Sequence, residues 1–169
     1  MLEAELKPLC KWVDFRDYIW SYGSFNFYGK TIVDVGADIG SSAIYFLSKS
    51  AKKVYLLENN QEYINTYYRL KESSQHPLLS HTTQITAGQL NNIHADILKM
   101  DCEGCEQHLL TEPLLKRFPE WVIGLHKPQL NSYQFELKER MLRKAGGRYM
   151  GSINADSKEG SEYIWIKKE

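Results

Sequence analysis

Short blocks of β-branched and apolar residues alternate along this chain with stretches whose apolar positions recur at helical spacing. The blocks predict strands at Thr31–Val35, Val54–Leu57, Ala95–Met100 and Trp121–Leu125, with a shorter one at Thr82–Thr86. Between them, Ser41–Lys49 sets Ala43, Ile44 and Leu47 on the inner side of a helix, and Gln61–Leu70 and Tyr133–Lys144 read as two more. A short helix starts near Gly104 and reaches Leu110, and Gly146-Gly147 ends the long one. Upstream, Leu2, Leu6, Leu9, Val13 and Trp20 share one side of a helical segment that Pro8 divides. Ser73, Ser74, His76 and Pro77 read as loop. Arg148–Ile153 and Glu162–Lys167 form a final pair of strands joined by the polar loop Asn154–Ser161.

Strand and helix alternate and two strands close the chain. The pattern predicts an α/β fold: a doubly wound, mostly parallel, Rossmann-like sheet with a C-terminal antiparallel hairpin and a third strand that is truncated if present. The 169 residues form one domain by size. Residues 1–29 are a helical and aromatic cover, and residues 30–169 are the α/β core. Ligands in such sheets bind outside the carboxyl ends of the strands. Asp34, Gly36, Glu58, Asp101, Glu103 and His126 all fall at or just past such ends, so one rim is expected to collect them.

Charge narrows the partners. Twenty-one basic residues balance twenty-one acidic ones, which leaves no general field for nucleic acid or an anionic membrane. Lys138, Arg140, Arg143, Lys144 and Arg148 cluster, and a solvated helix face accounts for them. No apolar run approaches the roughly 20 residues of a membrane span, and the N-terminus lacks the pattern of a signal peptide. Three cysteines form an odd set that fits reduced thiols and a cytoplasmic location.

The stretch Thr31-Ile-Val-Asp-Val-Gly-Ala-Asp-Ile-Gly40 carries the most information. A strand feeds a glycine turn and then a helix start, whose free N–H groups make a ligand cradle. Glu58, at the end of the next apolar block, is placed to accept both hydroxyls of a ribose. A nicotinamide fingerprint would need a second glycine where Asp38 stands, and an aspartate there repels a pyrophosphate. A phosphate-free nucleoside cofactor with a cationic end tolerates it, and S-adenosylmethionine fits. The expected cofactor-binding residues are Asp34, Gly36, Ala37, Asp38, Gly40, Glu58 and Asn59.

Two segments together carry a family resemblance. Val33-Asp-Val-Gly-Ala-Asp-Ile-Gly40 and Leu98-Lys-Met-Asp-Cys-Glu-Gly-Cys-Glu106 resemble the FkbM-type S-adenosylmethionine-dependent methyltransferases, over roughly residues 30–127. The resemblance implies a seven-stranded methyltransferase sheet, with Asp34, Gly36, Asp38, Gly40 and Glu58 on the cofactor. Three departures stand out. Asp38 replaces an asparagine, Thr86-Ala-Gly-Gln-Leu90 lacks the acids of the family's Thr-Leu-Asp-Asp-Leu, and Gly124-Leu-His126 replaces Glu-x-His. They leave open a protein that binds the cofactor without turning it over.

For catalysis the expected residues are Asp101, Glu103 and His126, facing an oxygen acceptor of small-molecule or glycan type. A carboxylate or imidazole there would orient a hydroxyl or take its proton; helix capping is the competing role for the two acids. Cys102-Glu-Gly-Cys105 lacks a second ligand pair for structural zinc, and both cysteines read as small buried hydrophobes. No metal site is expected. Tyr63, Tyr67 and Tyr68 form a packing stripe, and the aromatic residues between Tyr18 and Tyr28 cover the sheet edge. A nicotinamide-dependent oxidoreductase and an RNA methyltransferase remain as alternatives. The acceptor and the oligomeric state are not legible.

Overall fold

Parallel strands buried on both faces need near-continuous apolar runs, and the computed structural model finds them where the apolar blocks stand. It describes residues 15–72, 77–127, 129–153 and 161–168. They divide into two compact units, Met1–Thr86 and Ala87–Glu169.

The first unit contains α1 (Phe15–Tyr22), β1 (Thr31–Val35), α2 (Ser41–Ser48), β2 (Lys53–Leu57), α3 (Gln61–Glu72), a 3-10 turn (Pro77–His81) and β3 (Thr82–Ile85). Its strands run parallel in the order β3-β2-β1. The short third strand is therefore present, with Thr82 beside Val54 and Ile85 beside Leu57. Ile32, Val33, Val35, Val54, Leu56 and Leu57 are all buried, each worth roughly 1.5–3 kcal/mol of apolar transfer. The aromatic segment does cover: Tyr22 and Phe27 pack against Phe46 of α2, and Tyr18 sits edge-on to Tyr45. Trp20 does not join it and is exposed. Leu2, Leu6, Pro8, Leu9 and Val13 lie outside the described residues, as do Ser73, Ser74 and His76. Of the tyrosine stripe only Tyr67 is buried, its hydroxyl 2.6 Å from Thr82 Oγ1, while Tyr63 and Tyr68 face solvent. Tyr68 lies about 100° round the helix from Tyr67, off the buried face.

The second unit contains α4 (Ala87–Leu90), β4 (Ile97–Met100), α5 (Glu106–Leu109), α6 (Glu112–Lys116), β5 (Glu120–Lys127), α7 (Ser132–Lys144), β6 (Arg148–Ile153) and β7 (Ser161–Lys167). The order is β4-β5-β7-β6. β4 and β5 are parallel, and β7 lies antiparallel between β5 and β6. The final hairpin therefore joins the sheet by its last strand. Helix α7 opens with a capping box: Asn131 accepts from the Gln134 N–H and Gln134 returns the bond to the Asn131 N–H. Helix α6 was not expected; Thr111 caps it and Pro113 occupies its first turn. The basic residues of α7 are engaged locally, Lys138 on the Gln107 and Leu110 carbonyls, Arg140 on Glu136, Arg143 over Trp165 and Lys144 on Glu112.

Among the described residues no helix is long and apolar enough to cross a membrane. Gly147 marks the tightest approach in the second unit. A Cβ there would strike the Trp121 ring and lie 2.8 Å from the Leu142 carbonyl oxygen. Gly147→Ala is therefore expected to cost about 1–3 kcal/mol through overpacking. Urea denaturation measures it, and an unchanged midpoint would mean that the contact relaxes freely.

Candidate functional site

In the first unit, β1 delivers a turn that backbone groups hold in place. Gly36 and Ala37 donate their N–H groups to the Leu57 carbonyl at 2.9 and 3.3 Å. Asp38 takes a left-handed conformation, φ 51°. Aspartate and asparagine are the side-chain-bearing residues that most readily do so, and Asp38 takes it at little cost. Gly40 (φ 91°) starts α2; a Cβ there would come within 3.3 Å of the Tyr67 ring.

Glu58 is tied to this turn. Its Oε2 accepts the Asp38 N–H at 2.9 Å, and its Oε1 accepts the N–H groups of Asn59 and Asn60 at 2.8 Å each. A carboxylate offers about four acceptor directions, so capacity for a hydroxyl donor remains. Asp34 is fully buried and accepts the Ser42 hydroxyl at 2.5 Å. The structure thus brings Asp34, Gly36, Ala37, Asp38, Gly40, Glu58 and Asn59 into one turn and the strand tips that carry it. The Glu58 bridge to Asp38 had no signal in the chain beyond their shared place at strand ends.

In the second unit, the segment Asp101-Cys-Glu-Gly-Cys-Glu106 leaves β4 and folds back on His126 of β5. The His126 imidazole lies between two carboxylates. Nε2 is 3.2 Å from Asp101 Oδ1 and Nδ1 is 3.2 Å from Glu106 Oε1. Glu106 has no exposed surface. Its Oε1 also accepts the His126 N–H at 3.1 Å, and its Oε2 accepts the Gly104 N–H at 2.7 Å. Burial alone would drive the proton off His126. Hydrogen bonds to Asp101 and Glu106, with the charges of Asp101 and Glu162, outweigh that and push its pKa up to about 10. Partial burial likewise opposes the charge on Asp101, yet Lys99 and His126 hold its carboxyl below the usual range.

Glu103 does not join this cluster. It sits exposed at the tip of the turn, with φ 48° beside Gly104 at φ 126°. The cysteines depart from expectation. Cys102 and Cys105 are half-buried and joined in a disulfide, not reduced apolar packing groups. The left-handed pair Glu103-Gly104 turns the chain sharply enough to bring the two sulfurs together. The bond occupies both sulfurs, which are then not ligands.

Two residues of this cluster have no sequence signal of their own, and Glu106 stands in the chain only as the end of a motif. Glu162, on β7, pairs across the ladder with His126. A Cβ on Gly124 would collide with its Oε1 and lie 3.2 Å from its Cδ. Glu162 therefore fills the space that a side chain at 124 would claim. A glycine within a fully buried strand signals such an approach, although it does not name the visitor.

Protein-family profiles give no match. Uncharacterized protein 65 of Sulfolobus islandicus filamentous virus (isolate Iceland/Hveragerdi) is 34% identical over 147 residues, 85% of each chain. The chain belongs to its family. Uncharacterized protein 158B of Sulfolobus islandicus rod-shaped virus 1 is 30% identical over 89% of each chain.

Solved structures show the fold. Precorrin-6y C5,15-methyltransferase from Geobacter metallireducens superposes with TM-score 0.63 at 15% identity, covering 91% of this chain and 86% of its own. TrmK from M. capricolum, solved with S-adenosylhomocysteine, gives 0.62 at 16%, covering 93% and 69%. Aeropyrum pernix fibrillarin, solved with natively bound S-adenosylmethionine, gives 0.59 at 14%, covering 83% and 67%. The chain has the Rossmann-like fold of these methyltransferases.

Two outcomes are expected. Glu106→Gln leaves His126 and two amides with a weaker acceptor and costs about 3 kcal/mol, by analogy with breaking a buried ion pair; chemical denaturation reads it directly. Reducing the disulfide releases only a four-residue loop, so the loss is about 2 kcal/mol at most. A much larger fall in the denaturation midpoint under a phosphine reductant would mean that the bond does more than close its own turn.

Proposed function

We propose that this chain is an S-adenosylmethionine-dependent methyltransferase of FkbM type, a single cytoplasmic domain that methylates oxygen on a small-molecule or glycan acceptor. The observation that carries the reading is the turn Gly36–Gly40 opening onto α2 with the Glu58 carboxylate bound to its Asp38 amide. In this reading it is a phosphate-free adenosyl cradle: a helix start at α2, an acidic residue for ribose hydroxyls, and an aspartate where a pyrophosphate would be repelled. Methyltransferases of the same fold, solved with the cofactor or its product, support it.

In this reading Asp34, Gly36, Ala37, Asp38, Gly40, Glu58 and Asn59 hold the cofactor, and Asp101 and His126 face the acceptor. S-adenosylmethionine, when bound, would supply an electrophilic methyl group and leave as S-adenosylhomocysteine, and Asp101 and His126 would handle the proton of an oxygen acceptor. The proton passes to the Asp101 carboxylate. His126, already protonated, steadies the charge there and is not the base at neutral pH. Glu103, exposed, is left as a surface residue. Glu162 beside Gly124 supports turnover, because it restores a carboxylate to the His126 neighbourhood from another strand. Balanced charge weighs against an RNA acceptor.

Calorimetry with S-adenosylhomocysteine tests the cofactor half. Glu58→Ala is expected to weaken binding by about 1–3 kcal/mol, and Glu58→Gln, which keeps one acceptor, by less. Unchanged affinity in both would remove Glu58 from the site. Methyl-labelled cofactor incubated with host extract tests turnover. Label on nuclease-sensitive material would favour RNA, and tight binding without transfer would favour the inactive alternative.

A further inference from the structure

We propose that Asp101, His126 and Glu162 form a binding site for one divalent cation. One donor atom from each lies within 4.8 Å of the other two. The His126 Nε2 to Asp101 Oδ1 separation is 3.2 Å. Two donors at right angles around an ion, each about 2.1 Å from it, stand about 3 Å apart. The three residues come from the end of β4, from β5 and from β7, so the sheet converges them rather than a single acidic loop.

Two further features fit a built site. Metal-bound histidines commonly give their other ring N–H to a carboxylate, which fixes the ring and its tautomer. Glu106, fully buried, stands at His126 Nδ1 in that role. Gly124 supplies the space through which the Glu162 carboxylate reaches the histidine. Charge agrees as well. Asp101, Glu106 and Glu162 surround His126, with Lys99 as the lysine near Asp101. A divalent ion would displace the His126 Nε2 proton and take its place among Asp101, His126 and Glu162.

Two oxygens and one nitrogen suit a hard or borderline ion, of the Mg²⁺, Mn²⁺ or Zn²⁺ class. Three protein ligands leave coordination positions open, and Asp101 is one-third exposed. The ion would anchor the acceptor hydroxyl and ease the loss of its proton. That role rests on the methyltransferase reading; the binding itself does not.

MnCl₂ titrated into the full chain without cofactor tests the site, followed by electron paramagnetic resonance of free Mn²⁺. One saturable site per chain is expected. Glu162→Gln and Asp101→Asn should each weaken it at least tenfold, and Glu103→Gln, exposed outside the cluster, should not. Proton NMR adds a local readout: substoichiometric Mn²⁺ should broaden the His126 imidazole before those of His81, His94 and His108. Absence of saturable binding, or binding indifferent to Glu162→Gln with His126 unbroadened, overturns the site. S-adenosylhomocysteine titrated into the same sample separates the two readings. Cofactor binding without Mn²⁺ binding removes the cation alone, and Mn²⁺ binding without cofactor binding removes the methyltransferase reading alone.

Discussion

A carboxylate with no surface in water must be answered by donors, and the second unit is arranged around answering Glu106. The Gly104 amide, the His126 amide and the His126 ring all point at its two oxygens. An unanswered charge at such a place would cost several kcal/mol. The requirement draws the segment after β4 against β5 and leaves the imidazole with one orientation. Its other nitrogen then faces Asp101. The rim chemistry of this unit follows from satisfying one buried group.

The first unit solves a different problem with a similar device. Its turn needs a residue with positive φ at position 38, followed by a helix start at Gly40. Glu58 reaches across from the neighbouring strand tip and fixes the Asp38 amide. Here the acidic residue is half-buried and keeps acceptor capacity. In the proposed reading one carboxylate is both ribose acceptor and structural brace, so Glu58 cannot be changed for one role without touching the other.

The strands are legible because burial on both faces writes itself as near-continuous apolar runs, such as Val54 to Leu57 and Trp121 to Leu125. Helix starts with strong caps were legible too, although α6 was passed over despite Thr111 and Pro113. Trp20 is expected among the aromatic residues that cover the sheet edge but is exposed, and Tyr18 and Tyr22 make that cover instead. The turn at Gly36–Gly40 is legible because its glycines and acids lie within a few residues of one another. The cluster around His126 was only half visible. Asp101 and His126 stood at strand ends, but Glu162 arrives through strand pairing across the chain, which local pattern does not encode. The disulfide was missed because spacing alone does not say whether two thiols meet; the left-handed turn at Glu103 and Gly104 decides that.

Placing β7 between β5 and β6 has a consequence for biosynthesis. Along one edge, β5 has no strand to pair with until residues 161–167 have left the ribosome. Glu162 arrives with that strand. A nascent chain can complete its first unit and still lack the carboxylate opposite His126, so the rim is assembled last and an unfinished polypeptide carries no finished centre.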